Sequence, residues 1–442
     1  MSGKFTTEIS FKFLKKYLNI RTLLTGVLIT VAGGIILHLF IHWLKTGNQY
    51  EINRGRIDHA NSLFEKGMTQ EALREYTEIS KLLSKWQDST LYAEVRNNIG
   101  ICFTVIGKRH LREKDLLQAV SNFQDALNIY TSDDYPIKYS GIQHHLAVVY
   151  ASLASIRNKQ ENLLKSIEAN MNALQFIKPE EHPKEYGGIK MNLCVAYESL
   201  YSITCKEDQL MEAIAACEDA AITFRQEGAT THLATTLSNL GIVHKDLAGI
   251  RDKKENLAKA VNFYQDALRV RTVEKYPYKY ALTQMNLGTV YDLMSEVDDA
   301  KENLENAMHA YESALSIFTF ETNKVRYADV NNNLGICLRR FGEKFNDISR
   351  YQYAIRCFGE ALRLYNMYEN PYKYSMVLEN RAKAYWGLSK LVDKRQNIEN
   401  AVSDLQNAIE LYHAPKHSMP RKRILEMLAS LEKELAEIGV AD

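Results

Sequence analysis

YPYKYALTQMNLGTVYDLMSEVDDAKENLENAMHAYESALSIFTFET, residues 276–322, is one period of a pattern that runs along most of this 442-residue chain. Ala307 belongs to a series with Ala or Ser every 47 residues: Ala72, Ala119, Ser166, Ala213, Ala260, Ala307, Ala354 and Ala401. Ala314 belongs to a second, with Ala126, Ala173, Ala220, Ala267, Ala361 and Ala408. Asn286 belongs to a third, Asn98, His145, Asn192, Asn239, Asn286, Asn333 and Asn380. Three series locked to one step, with no insertion, define a repeat array, in which each unit buries its apolar face against its neighbours.

Each period reads as two helices. Pro277 opens the first, where its missing N–H is no loss, and Pro136, Pro183 and Pro371 keep that place. Leu282, Met285, Leu287, Val290 and Leu293 form its apolar stripe. The second starts near Ala300 and carries Leu304, Ala307, Tyr311, Ala314, Leu315 and Phe318 at spacings of three and four. Ala307 and Ala314 lie two turns apart on one face, where a methyl lets helix backbones approach closely. The expected helix pairs are 53–84, 90–130, 137–177, 184–224, 231–271, 278–318, 325–366 and 372–412. A last amphipathic helix, Met419 to Ile438, turns Ile424, Leu428, Leu431, Leu435 and Ile438 inward, with Arg421-Lys422-Arg423 on its solvated face.

Gly288, Tyr291, Ala307, Tyr311 and Ala314 resemble the signature of the tetratricopeptide repeat family. Gly241, Ala260, Tyr264 and Ala267 match it too, with His244 in an aromatic place. The usual unit has about 34 residues; here both helices are lengthened, except in the first unit, where Ala60 and Ala72 keep the ordinary spacing. The resemblance implies an all-α fold, a right-handed α-solenoid of about eight helix-turn-helix repeats over 52–417, closed by a capping helix over 418–442.

The Asn before Leu-Gly makes these units similar to the long repeats of kinesin light chains. That resemblance implies a concave groove lined by first helices, in which Asn98, Asn192, Asn239, Asn286, Asn333 and Asn380 bond the backbone of an extended peptide. An amide suits the task because it donates and accepts without charge. Lys245, Arg339 and Arg340 border the same face, with Asn97, His144, Glu198, Asp246, Asp292, Asn332, Glu379 and Lys383. The other reading is that this Asn caps or bridges neighbouring helices; His145 interrupts the column.

Lys and Arg total 55 and Asp and Glu 54, so a net charge of +1 offers no global field for nucleic acid. A phosphate loop, a dinucleotide fingerprint, H-E-x-x-H and a calcium loop are all missing from the sequence. We therefore expect no catalytic residue, no cofactor and no metal, and a protein or peptide client as partner. The six cysteines include no C-x-x-C and read as small core residues; Cys194 stands where other units have Gly and Cys217 where they have an aromatic.

Before the array, Leu23 to Leu44 contains no charged side chain. Its length, about 33 Å as a helix, crosses a bilayer core of about 30 Å. It is too long for a signal peptide and no small-x-small site follows it. We expect a transmembrane helix over 22–45 and a basic juxtamembrane segment over 1–21. Lys4, Lys12, Lys15, Lys16 and Arg21 against Glu8 favour a cytoplasmic N-terminus and a solenoid on the far side, although the cysteines lean towards a reducing compartment. Thr22, Gly26, Thr30 and Gly34, spaced by four, are either a homodimer face or small residues of a single span. The function these readings imply is a membrane-anchored adaptor or, alternatively, a self-assembling scaffold.

Overall fold

A computed structural model describes residues 49–410, apart from 84, 86 and 87, and residues 418–441. The juxtamembrane segment, the span 22–45 and the small residues Thr22, Gly26, Thr30 and Gly34 lie outside the described residues. Among the described residues no helix is long and apolar enough to cross a membrane. These residues carry seventeen helices and no strand, in two compact units divided between His145 and Leu146.

The first unit holds α1 (49–65), α2 (Thr69–Leu82), α3 (Ser89–His110), α4 (Glu113–Leu127) and the start of α5 (Pro136–Ala154). Its core packs Ile57, Ala60, Ala72, Tyr76, Ile79, Leu91, Val95, Ile99 and Cys102. Gly67, at φ +78°, makes the tight turn of the short first pair.

The second unit continues α5 and holds α6 (Lys159–Leu174), α7 (Pro183–Thr204), α8 (Glu207–Gln226), α9 (Thr230–Leu247), α10 (Lys253–Leu268), α11 (Pro277–Met294), α12 (Ala300–Leu315), α13 (Lys324–Phe345), α14 (Ile348–Leu362), α15 (Pro371–Ser389), α16 (Lys394–Ile409) and α17 (Ser418–Ala441). From α8 to α14, each second helix packs on its own first helix and on the first helix of the next pair. The first helices α7, α9, α11, α13 and α15 also meet one another in sequence; the second helices have no comparable contact. The first helices thus form the crowded inner side of this unit. All members of both Ala series are buried; Ser166, the one exception in type, hides its hydroxyl by donating to the Ala147 carbonyl at 2.8 Å.

One position carries the helix-to-helix packing. A Cβ on Gly288 would lie 2.8 Å from the Tyr311 ring, and Gly241 faces Tyr264 and Gly335 faces Phe358 in the same way. In the first unit Gly100 faces Phe123. In the pair α7–α8 the same two places hold Cys194 and Cys217, which form a disulfide across 23 residues. This corrects the reading of all six cysteines as separate core residues. Two positions that touch in four other units bring the two thiols together once both are cysteine. Cys102, Cys337 and Cys357 are free and buried, as expected, whereas free Cys205 is exposed.

The helix α17 covers the last pair by burying Ile424 and Leu431 against Leu378, Ile398 and Leu405. Its basic run is not merely a solvated face, because Arg423 Nη2 reaches the buried Glu379 carboxylate at 2.7 Å. Burial alone would push Glu379 up; the bonds from Arg423 and Lys383 reverse that and hold it below the ordinary carboxylate value.

Candidate functional site on the first helices

Every proposed groove residue lies on a first helix and is half-buried: Asn98 on α3, Asn192 on α7, Asn239 and Lys245 on α9, Asn286 on α11, Asn333, Arg339 and Arg340 on α13, and Asn380 on α15. Their surroundings divide the column into ends and a middle.

In the first unit the amides form a closed chain. His145 Nδ1 donates to Asn97 Oδ1 at 3.2 Å, Asn97 Nδ2 to Asn98 Oδ1 at 3.2 Å, and Asn98 Nδ2 to Asn61 Oδ1 at 3.2 Å. The Tyr76 hydroxyl also donates to Asn61 Oδ1. Burial, with His144 beside it, lowers the His145 pKa to about 4, so the ring stays neutral and serves the chain as a donor. The other end of the column repeats the device: Asn380 Nδ2 donates to Asn332 Oδ1 at 3.1 Å and Asn332 Nδ2 to Asn333 Oδ1 at 3.3 Å. Here the amide of one first helix bridges to the preceding first helix.

The middle is different. Among the described residues the side-chain amides of Asn192 and Asn239 have no hydrogen-bond partner, while Asn286 neighbours the buried Tyr264 hydroxyl. Val195, one helical turn from Asn192, is 43% exposed. Charges of both signs stand around this stretch. Lys245 Nζ pairs with Asp246 at 2.8 Å. The Glu198 carboxyl is pushed up by burial and then by the like charge of Asp246. Further on, Arg340 is shared between Glu296 at 2.6 Å and Asp292 at 3.5 Å, and Arg339 reaches Glu343 at 2.7 Å. Burial raises the Asp292 pKa to about 6 against the pull of Arg340. Both arginines are therefore engaged within the chain, a pairing that register alone did not reveal. Among the described residues no cluster of His, Cys, Asp and Glu is arranged to hold a metal ion.

No protein family and no curated protein matches the sequence. Solved structures similar to the chain include BtubC (BKLC) from P. vanneervenii, at 19% identity and TM-score 0.41 over 57% of this chain and 90% of that one. The apo quorum sensor NprR from B. thuringiensis aligns at 14% identity and TM-score 0.41 over 86% and 98%. A human IFIT1 dimer with PPP-AAAA aligns at 16% identity and TM-score 0.41 over 87% and 82%. The tetratricopeptide-type packing of this chain rests on its own contacts, the Gly–aromatic pairs and the two buried Ala series.

Proposed function

We propose that the chain is a non-enzymatic adaptor that holds an extended segment of a partner protein along the inner side of its second unit. The amides of Asn192 and Asn239 carry this reading. They are half-buried on first helices and unbonded, while the equivalent groups at both ends of the column are taken up within the chain. An amide held at such a surface can donate to a peptide carbonyl and accept from a peptide N–H at once. Val195 offers an apolar contact, and a basic side chain of the partner would relieve the crowding of Glu198 and Asp246.

The adaptor is placed at a membrane by the uncharged stretch Leu23 to Leu44. Two features support a solenoid on the far side from a cytoplasmic N-terminus. The lysines before the span favour that orientation, and the Cys194–Cys217 disulfide suits an oxidising compartment.

Peptides selected from a displayed library on the full chain test the groove. The double substitution Asn192→Ala with Asn239→Ala is expected to weaken their binding about tenfold or more, from two lost hydrogen bonds of about 1 kcal/mol each. Asn98→Ala, whose amide is spent inside the first unit, should leave affinity unchanged. Full affinity in the double variant rejects the reading.

A further inference from the structure

The slot at the C-terminal end of the second helix is apolar in the other units described. Leu83, Tyr130, Ile177, Phe224, Phe318 and Tyr365 fall in it at the 47-residue step, and all are buried. At the same step the chain places Arg271, which is only 6% exposed. A guanidinium does not lose its proton in a protein, so this unit keeps a positive charge where its neighbours keep an aromatic or aliphatic plug.

The acceptors around that charge are all neutral. Nη1 donates to Ser238 Oγ at 2.6 Å and Thr283 Oγ1 at 2.9 Å, and Nη2 donates to Thr235 Oγ1 at 3.1 Å. Each of these hydroxyls gives its own hydrogen to the carbonyl four residues earlier, on Ala234, Lys279 and Thr231 respectively. They offer the guanidinium lone pairs and no charge. Its Nε is buried with no acceptor. Among the described residues no carboxylate pairs with it, and the one ionisable group acting on it is the Tyr264 phenol. The acid in its own loop, Glu274, turns instead to Thr272 and to its own backbone. Burying a cation without a counter-charge is costly, whereas a Phe in this slot would carry no such cost.

One helical turn from Thr235, half-buried Thr231 brings its hydroxyl to 3.0 Å from that of half-buried Tyr276. Exposed Lys279 stands beside them, its ammonium 5.8 Å from the Tyr276 ring centre. A second cation and two more hydroxyls therefore stand one helical turn from the Thr235 and Thr283 hydroxyls that hold Arg271.

We propose that Arg271 is the buried anchor of an oxyanion site between α9 and α11, taking a carboxylate or phosphate group between its guanidinium and the Thr231–Tyr276–Lys279 rim. This inference is independent of the groove reading, since it concerns a slot in the wall rather than the amide column.

The test measures thermal unfolding of the full chain in sodium phosphate, sodium acetate and sodium chloride at equal ionic strength. Three proteins are compared: the native chain, Arg271→Phe, which restores the plug of the neighbouring units, and Arg271→Gln, which keeps a donor to Ser238 and Thr283 without the charge. The native chain should gain about 2 °C or more in a binding anion over chloride, beyond any gain in either variant. Phosphate stabilises proteins generally, and the variants report that common part. A specific gain in acetate alone assigns a carboxylate, and in phosphate alone a phosphate group. Equal gains in all three proteins, or none, overturn the proposal. Should Arg271→Phe fail to fold, the comparison with Arg271→Gln decides alone.

Discussion

Gly288 and Tyr311 show how one residue governs the array. The Tyr311 ring comes within 2.8 Å of where a Cβ on Gly288 would be, and its hydroxyl donates to Thr289 Oγ1 at 3.1 Å. Glycine in a helix interior is worth about 1 kcal/mol less than alanine, so its presence needs a packing reason. Here the reason is steric, and it predicts opposite signs for one substitution at two sites. Gly288→Ala forces the ring or the helix aside, at about 1–3 kcal/mol, which outweighs the propensity gain. Gly359→Ala, on α14 with nothing within 4 Å of the new methyl, should stabilise by up to about 1 kcal/mol. Urea unfolding of the two variants checks the pair; destabilisation at both sites would sink the steric account. The Ala and Gly columns were legible in the sequence because close approach restricts residue type so strongly. Arg271 was not: a lone Arg in a loop carries no periodic signal until the slot around it is seen to be apolar elsewhere.

At the scale of elements, helix bounds were readable to within a few residues, since Pro marks several starts and the apolar stripes mark the lengths. The turns were not. Leu111, Asn158, Cys205, Asp252, Asn346 and Asp393 all take a left-handed conformation between the two helices of their pairs, at the 47-residue step. Glycine is the usual flag for such a backbone and none of these positions has it; Asn and Asp tolerate it, and Leu111 and Cys205 conceal it. Asp299 breaks the column with a capping turn, accepting from the Lys301 and Glu302 amides. The disulfide was half-legible. Cys194 and Cys217 stand at a Gly and an aromatic place of the repeat, yet the contact between those places exists only in the folded pair. Closing a loop of this length stabilises by about 3 kcal/mol on a chain-entropy account. Thiol titration in denaturant without reductant should find four thiols per chain, and six after reduction. The native chain should expose one, Cys205, because burial pushes the Cys102 and Cys357 thiols up to about 12 and raises Cys337 as well. Six thiols in unreduced, denatured protein would remove the disulfide.

At the scale of the whole molecule, the repeat commits most side chains to packing. Each unit spends many of its side chains on its neighbours, and among the described residues the unbonded amides of Asn192 and Asn239 lie on the first helices of the second unit. Under the proposed function such a surface acts through what is brought to it, and the side of the proposed membrane anchor would decide what that is. Net charge of +1 gives no guidance, but two local features agree: the lysines before Leu23 and the disulfide in the array both favour a solenoid away from the cytoplasm. Cys205 makes this directly measurable, being the exposed free thiol among the described residues. A membrane-impermeant maleimide added to sealed, right-side-out vesicles should label the full chain at Cys205, and Cys205→Ser should abolish the signal. In inside-out vesicles labelling should require permeabilisation. The reverse pattern would place the array in the cytoplasm, leave the disulfide without a compartment that sustains it, and send the search for a client to the other side of the membrane.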